Sequence, residues 1–291
     1  MLELASGHAT ALLSPETGGA VARFTCHGRE ILRPVSDADL ASGNARRLGM
    51  FPLAPYSNRI AHGALPRQGA LHPLRLNVPG EEHSMHGFAW QRAWRVQQQA
   101  HNRAVMTLAH EPDADWPYRC RIEQQVRLED SLLLVQLHLI NDDEHVMPAG
   151  LGFHPYFPRT AATRLQVAWE GRWEMDERKL PTAWRPCRGA EDFRQLRAIG
   201  GWTTDHCYTG WARSALLDYD SHATIVSADA ACSRLVCFVP DDGRALIALE
   251  PVTHVNNGFA LAARGIGGTG VQHLAPGGRL ALAMSIGVVL A

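Results

Sequence analysis

The sequence predicts an all-β fold, a large single-domain antiparallel β-sandwich. Apolar and polar residues alternate with a period of two over residues 118–129, which is typical of a strand with one buried and one solvated face. A second strand pattern, 132–140, follows after a turn-sized gap and predicts an antiparallel hairpin. Long helical patterns are scarce, and Pro and Gly clusters interrupt the chain about every ten residues. Many short strands without long helices favour a sandwich or a closed sheet system.

The remaining elements follow from the same patterns. Short alternating or apolar runs predict further strands at 20–26, 94–98, 104–109, 164–169, 234–239, 245–249 and 279–288. Two segments, 191–198 and 259–264, are each expected to form one or two helical turns.

Bulk properties limit the function classes. The 291 residues contain no linker-like tract, so we expect one domain over 1–291. A formal net charge of −1 gives no electrostatic case for binding nucleic acid or an anionic membrane. No stretch is apolar over the length of a membrane span, and the first residues lack a secretory pattern. The six cysteines form no CxxC pair, so we expect free thiols and a cytoplasmic location.

Five fragments place a chemically capable polar residue at the edge of an apolar or β-like segment. They supply two imidazoles, a glutamate, an aspartate and an arginine, a set suited to general acid–base chemistry. The fragments are Asn58-Arg59-Ile60, His86-Gly87-Phe88, Phe153-His154-Pro155-Tyr156-Phe157, Thr204-Asp205-His206 and Leu249-Glu250-Pro251.

Glu250 and His154 are the leading candidates for proton transfer. Glu250 ends an apolar run and precedes Pro251, so its charge is expected at a rim or a cleft rather than in the core. A solvated strand-end glutamate is the ordinary alternative. Pro155 restricts His154 to an extended backbone, and Tyr156 beside it offers an apolar wall. An ordinary core or surface histidine is the alternative there.

The other candidates are ligand-binding groups. His86 is followed by glycine, while His83 lies three residues earlier and competes for the same role. Asn58 and Arg59 offer several donors for hydroxyl groups, although a routine surface arginine would look the same. Asp205 can accept hydrogen bonds, but a turn aspartate capping its own backbone is common.

In order and context, these fragments resemble the aldose 1-epimerases, or galactose mutarotases, over roughly residues 19–286. The resemblance implies a β-sandwich enzyme that interconverts the α and β anomers of a free aldose such as glucose or galactose. It implies that Glu250 is the base for the C1 hydroxyl, that His154 protonates the ring oxygen and that His86 assists nearby. It also implies sugar binding by the Asn58-Arg59 fragment and Asp205. The expected partner is a monosaccharide, without cofactor or metal, and the expected state is a monomer or homodimer.

Other functions stay open at this point. A hexose-6-phosphate mutarotase would need two or more extra basic residues at the cleft, for which the Arg46-Arg47 loop is one source. A non-catalytic sugar-binding or regulatory module would need neither Glu250 nor His154. The glycine pattern at 265–270 matches a dinucleotide spacing, but Pro276 follows too soon for the required helix. His86, His154 and Glu250 could bind zinc in principle, yet they lack any short ligand spacing.

Overall fold

The computed structural model describes residues 1–291 and is built from strands β1 to β26 with two short helices. In the first part of the chain these are β1 (Leu2–Ser6), β2 (Ala9–Ser14), β3 (Ala20–Cys26), β4 (Arg29–Glu30), α1 (Asp37–Ala41), β5 (Met50–Leu53), β6 (Arg59–Ile60), β7 (Ala64–Arg67), β8 (Ala70–Pro73), β9 (Ser84–Met85), β10 (Arg95–Ala100), β11 (Arg103–His110), β12 (Cys120–Glu129) and β13 (Leu132–Asn141). In the second part they are β14 (Met147–Ala149), β15 (Gly152–Pro158), β16 (Arg164–Val167), β17 (Gly171–Met175), β18 (Pro181–Pro186), β19 (Arg197–Ala198), β20 (Thr204–Thr209), β21 (Ser214–Asp218), β22 (His222–Ala228), β23 (Arg234–Val239), β24 (Leu246–Val252), α2 (Gly258–Ala263), β25 (Gln272–Leu274) and β26 (Arg279–Leu290). Four single 3₁₀ turns complete the structure: Ala45–Arg47, Ala61–Gly63, Ala89–Gln91 and Gly189–Glu191.

Two large sheets form a sandwich, and the predicted all-β antiparallel fold is confirmed. The first sheet has eleven strands in the order β1-β2-β3-β5-β15-β24-β23-β20-β17-β18, with β4 paired to β3. The second has nine, in the order β10-β11-β12-β13-β26-β22-β21-β16-β19. Three two-stranded ribbons, β6-β9, β7-β8 and β14-β25, lie outside them.

The main core fills the space between the sheets. Alternation along each strand decides which side chains enter it, because successive residues point to opposite faces. On β15, Phe153 and Phe157 belong to this core, and on β24 Ile247 and Leu249 do so. Alternate residues such as Tyr156 on β15 and Ala248 on β24 point to the opposite face of the first sheet, where a smaller apolar cluster forms around Phe51.

Most predicted elements are confirmed. The strands predicted at 20–26 and 234–239 coincide with β3 and β23, and the hairpin of β12 and β13 pairs in register from Cys120↔Asn141 to Glu129↔Leu132. The short helix expected at 259–264 appears as α2. Neither helix has the length and apolar composition of a membrane-crossing segment.

The helix predicted at 191–198 is wrong. Its first residue, Glu191, is the last of a 3₁₀ turn, and its last two residues form strand β19, which pairs with β16. Phe193 is buried against Trp169 and Trp202, which holds the segment across the end of the sheet. Tertiary packing therefore overrides the weak helical pattern.

All six cysteines are free, as expected.

Candidate active site

The candidate site lies on the face of the first sheet that points away from the second sheet. Strands β5, β15, β24, β23 and β20 are neighbours there. Their register aligns two rows of side chains across the sheet. One row contains Phe51, His154, Glu250, Val236 and Cys207, and the next contains Tyr156, Ala248, Phe238 and Asp205.

His154 and Glu250 face each other across adjacent strands. The pairings Gly152↔Val252 and Tyr156↔Ala248 place them directly opposite. His154 Nε2 lies 3.1 Å from Glu250 Oε1, and both side chains are almost fully buried. The imidazole contacts two aromatic rings, since Phe51 stacks on it at a centroid distance of 4.8 Å and the tilted Tyr156 ring lies at 4.4 Å. This packing fixes the side chain that faces the carboxyl group.

Burial controls the protonation of this pair. Loss of solvation raises the pKa of Glu250 well above its ordinary value, and the nearby Asp205 carboxylate raises it further, against the opposing effect of Arg59. Loss of solvation also lowers the pKa of His154 well below its ordinary value, with help from His86 and the Arg46 cation. The free site therefore favours a neutral pair with a single proton, held by the carboxyl group.

A second Glu–His pair shows how much burial matters. Glu123 and His138 are cross-strand neighbours on the second sheet, with Oε1 and Nδ1 3.4 Å apart. The glutamate is partly exposed there, and hydrogen bonds from Gln125 and then His138 lower the pKa of its carboxyl. The same two residue types thus give a lowered carboxyl pKa at the surface and a raised one at the candidate site.

His86 enters the site from the loop that follows the β6-β9 ribbon. Its Nδ1 accepts a hydrogen bond of 3.0 Å from the Asn58 backbone N–H, so in the neutral ring Nε2 carries the proton. Burial, followed by the Arg59 and Arg46 cations, lowers the pKa of His86 to about 3. The ring is therefore a neutral hydrogen-bond donor at ordinary pH. Gly87 is required beside it, because at its φ of 68° an added Cβ would lie 2.1 Å from the Ala54 carbonyl oxygen.

Arg59 is held by neighbours that flank the β6-β9 ribbon. Its Nη1 donates to Asn58 Oδ1 at 3.3 Å, and its Nη2 lies 3.5 Å from Glu81 Oε1. The buried Nε has no protein acceptor. A guanidinium that is fixed but not fully satisfied is well placed to donate to a bound hydroxyl or anion.

Asp205 borders the site at the far side of the second row. Its carboxylate lies 3.9 Å from Lys179 Nζ, and about a quarter of the side chain is exposed. The residue belongs to strand β20, paired opposite Phe238, rather than to a turn. The alternative of a turn aspartate is therefore wrong.

These side chains surround a cavity of about 190 Å³. The predicted residues Asn58, Arg59, His86, His154, Asp205 and Glu250 all line it. The other lining residues are Arg46, Glu81, Met85, Tyr156, Phe238 and Arg244. Glu81, Met85, Phe238 and Arg244 were not predicted. Of these four, only Phe238 has a signal in the sequence, because it alternates with core residues near the end of β23. That signal identifies it as a site residue only once the strand register is known.

His83 does not line this cavity. Its Nδ1 accepts from the His62 backbone N–H, and its Nε2 lies 3.1 Å from the Arg178 carbonyl oxygen. Both ring nitrogens are thus used by backbone groups, which leaves His86 as the histidine of this segment that faces the site.

Other features of the sequence lie outside the candidate site. Trp116 is fully buried in the main core and offers no stacking surface to a sugar. Residues 265–270 form a loop that leads into β25, without a following helix. A larger cavity on the second sheet, lined by residues such as Gln125 and Met284, contains no histidine or glutamate.

Comparisons with known proteins agree with this architecture. The uncharacterized protein YphB of Escherichia coli K12 is 27% identical over 248 residues, which are 82% of this chain and 83% of the relative. A solved structure of a candidate aldose 1-epimerase from Escherichia coli K12 superposes with a TM-score of 0.89 at 26% identity, covering 99% of this chain and 98% of the other. A galactose 1-epimerase from Lactobacillus acidophilus shares the fold, with a TM-score of 0.81 at 18% identity over 99% and 93% of the two chains.

The fold is therefore that of the galactose mutarotase-like β-sandwich proteins. The chain belongs to the aldose 1-epimerase family, whose sequence profile matches residues 1–287. It is an isomerase with a general epimerase or mutarotase role.

Proposed function

We propose that this protein interconverts the α and β anomers of an aldose that has a free C1 hydroxyl, such as glucose or galactose. The observation that carries the proposal is the buried His154–Glu250 pair, with 3.1 Å between Nε2 and Oε1, at a cavity lined by Arg59, Asp205 and His86. Anomer exchange needs one group that takes a proton and one that gives a proton on the same sugar ring. The cavity supplies both, together with donors and acceptors for hydroxyl groups.

The reaction moves two protons and breaks one bond. Glu250, as carboxylate, takes the C1 hydroxyl proton while the C1–O5 bond breaks and its electron pair goes to the ring oxygen. His154, as imidazolium, protonates that oxygen, and His86 donates a hydrogen bond to it through Nε2–H. The open aldehyde rotates about the C1–C2 bond, and the reverse transfers close the other anomer. Nothing is consumed, so no co-reactant is needed.

The pair can carry out this reaction because its resting form and its reactive form each contain one proton. Moving that proton from Glu250 to His154 converts the neutral pair into carboxylate and imidazolium. The two groups are within hydrogen-bond distance, so the transfer needs no rearrangement of the backbone. If both groups had their ordinary pKa values, of ~4.3 for the carboxyl and ~6.5 for the imidazole, Glu250 would instead be ionised in the resting site and His154 would titrate near neutral pH.

We expect activity to follow a bell-shaped pH profile with a broad top. The pair gains a second proton only at acid pH, because the pKa of His154 is lowered, and it loses its one proton only at more alkaline pH, because the pKa of Glu250 is raised. Activity should therefore persist through neutrality and fall on both sides. Values of kcat/KM over the full stable pH range test this; a flat profile, or an alkaline decline that begins at the ordinary imidazole pKa of ~6.5, contradicts the one-proton pair.

Arg59→Ala and Asp205→Ala are expected to act mainly on substrate binding. Loss of a charged hydrogen-bond partner weakens binding by about 1.5–3 kcal/mol, or roughly tenfold to a hundredfold and more in kcat/KM. KM should rise in both variants, with kcat falling less than in a Glu250 variant. Arg121→Ala, an exposed arginine on the second sheet, is the matched control. Unchanged kinetics in Asp205→Ala for every aldose tried would remove Asp205 from the site.

Polarimetry tests the proposal directly. Freshly dissolved α-D-glucose or α-D-galactose should reach its equilibrium rotation faster with the protein, and the final rotation should be unchanged because a catalyst does not shift an equilibrium. A non-catalytic sugar-binding module would leave the rate at the buffer value. The cytoplasmic location, the independence from metal and cofactor, and the monomeric or homodimeric state stay predictions.

A further inference from the structure

Arginines cluster at one end of the cavity. Besides Arg59, Arg46 and Arg244 line it, and Arg33 stacks on Tyr156. Asp242 accepts from Arg244 Nε at 2.8 and 3.0 Å and lies 2.8 Å from its Nη2, so Nη1 is the donor of Arg244 that Asp242 leaves for a ligand. Neither Arg46 nor Arg33 has a carboxylate within ion-pair distance. The proposed proton transfers use none of these three arginines, and the unpaired charges of Arg33 and Arg46 need another explanation.

Arg33 ties this cluster to the wall of the cavity. Its guanidinium stacks over the Tyr156 ring at 4.3 Å, and its Nη2 donates to the Arg46 carbonyl oxygen at 2.6 Å. Its backbone N–H donates to the Tyr156 carbonyl oxygen at 2.8 Å. The buried Nε has no acceptor. Arg33 thus fixes the backbone that presents Arg46 to the cavity.

The position suits one end of a bound sugar. Tyr156 lies two residues beyond His154 on β15, which corresponds to about 6.6 Å along the strand. Asp205 ends the same row three strands away, or about 14 Å from Tyr156 at the usual strand spacing. A ring bound at His154 and Glu250 can therefore extend a substituent towards the arginines and its hydroxyls towards Asp205.

The carboxylates of the cavity do not neutralise Arg33 and Arg46. Glu81 pairs with Arg59, and Asp205 faces Lys179. Burial lowers the pKa of Arg33, and the Arg244 and Arg47 cations lower it further, against Tyr156 and Asp39. The Arg46 cation also contributes to the lowered pKa of both His86 and His154. A bound anion at this end would reduce these repulsions.

We propose that the preferred aldose carries an anionic substituent away from C1, a phosphate or a carboxylate, which Arg46 and Arg244 bind while Arg33 positions Arg46. This inference rests on the proposed anomer exchange, and it deepens it. The substituent cannot be a C1 phosphate, because the reaction needs a free C1 hydroxyl. Arginine is suited to both anions, since its planar fork can donate two parallel hydrogen bonds.

The test compares three aldoses in the same anomerisation assay: glucose, glucose 6-phosphate and glucuronate. We expect wild-type kcat/KM to be at least tenfold higher for one of the two anionic sugars than for glucose, and the advantage to shrink as ionic strength rises. Whichever anionic sugar is preferred identifies the anion as phosphate or carboxylate. Uncatalysed rates are subtracted for each sugar, because a phosphate can accelerate its own ring opening.

Arg46→Gln and Arg244→Gln should reduce the anionic-to-neutral ratio of kcat/KM by tenfold to a hundredfold. Arg47→Gln is the matched control, because Arg47 follows Arg46 in the chain, points to Asp39 at 3.7 Å and does not line the cavity. It should leave the ratio unchanged. Arg46 and Arg244 are both exposed at the surface, so their variants should fold, and melting temperatures can verify this.

The outcomes separate the two proposals. If glucose is anomerised but neither anionic sugar is preferred, or if Arg46→Gln and Arg47→Gln change the ratio equally, the anion site is wrong and the proposed function stands. If none of the three sugars is anomerised faster than in buffer, the proposed function itself fails. A preference that disappears in Arg46→Gln and Arg244→Gln, but not in Arg47→Gln, supports the anion site.

Discussion

Glu250→Gln should abolish nearly all anomerase activity while the fold stays intact. Glutamine keeps the volume of the side chain and an acceptor oxygen, but it cannot take the C1 hydroxyl proton. Loss of a positioned general base lowers kcat by at least ~10²-fold. The fold should tolerate the change, because burial already favours an uncharged group at this position. Polarimetry of the purified variant measures its activity, and a melting curve measures its stability.

The second Glu–His pair provides the control. Glu123→Gln removes a carboxylate from a cross-strand pair of the same composition on the other sheet, remote from the cavity. Its activity should equal that of the wild type. A folded Glu250→Gln protein with near-normal kcat would eliminate Glu250 as the base and leave the pair without its proposed role.

His154→Asn should slow anomer exchange by a similar factor in both directions. The same imidazole protonates the ring oxygen on opening and takes the proton back on closure, so its loss raises one shared barrier. We expect a decrease in kcat of ~10²–10⁴-fold. The alkaline and acid limbs of the pH profile should also change, because the one-proton pair no longer exists. Rates measured from the α and from the β anomer check the symmetry.

Packing complicates this variant, because Phe51 and Tyr156 both contact the imidazole. His154→Gln keeps more of the side-chain volume and should be equally inactive, and His138→Asn is the control from the second pair. If either His154 variant is folded and retains wild-type kcat, the imidazole is not the acid. Loss of activity only in a variant with a lowered melting temperature would assign His154 a packing role.

Alternation of residues made most of the fold predictable. The pattern of β12 and β13 determines which face is buried, and a one-residue shift would reverse it. The helix predicted at 191–198 was wrong because the conformation of this segment depends on two residues outside it. Trp169 is remote in sequence, and Trp202 lies beyond its end. The small helix α1 was also missed, although Ser36 and Asp39 form a capping box that a local search could have found.

The candidate site was predictable in its residues but not in its protonation. The six predicted residues line one cavity, because strand register brings distant parts of the chain together. The raised pKa of Glu250 and the lowered pKa of His154 depend on burial, which the sequence does not give. Arg244 and Glu81 lie in irregular segments outside the strands and helices and have no local signal, so only the three-dimensional structure connects them with Arg46 and Arg59.

Exchange NMR of an aldose in D₂O tests the central claim most directly. The account predicts that the wild-type protein accelerates exchange between the α and β anomeric signals, while the hydrogens on C1 and C2 remain protium, because only oxygen-bound protons move. Glu250→Gln should return the exchange rate to the buffer value, and Glu123→Gln should not. No acceleration in the wild type, or incorporation of deuterium at C2, would contradict ring opening by the His154–Glu250 pair.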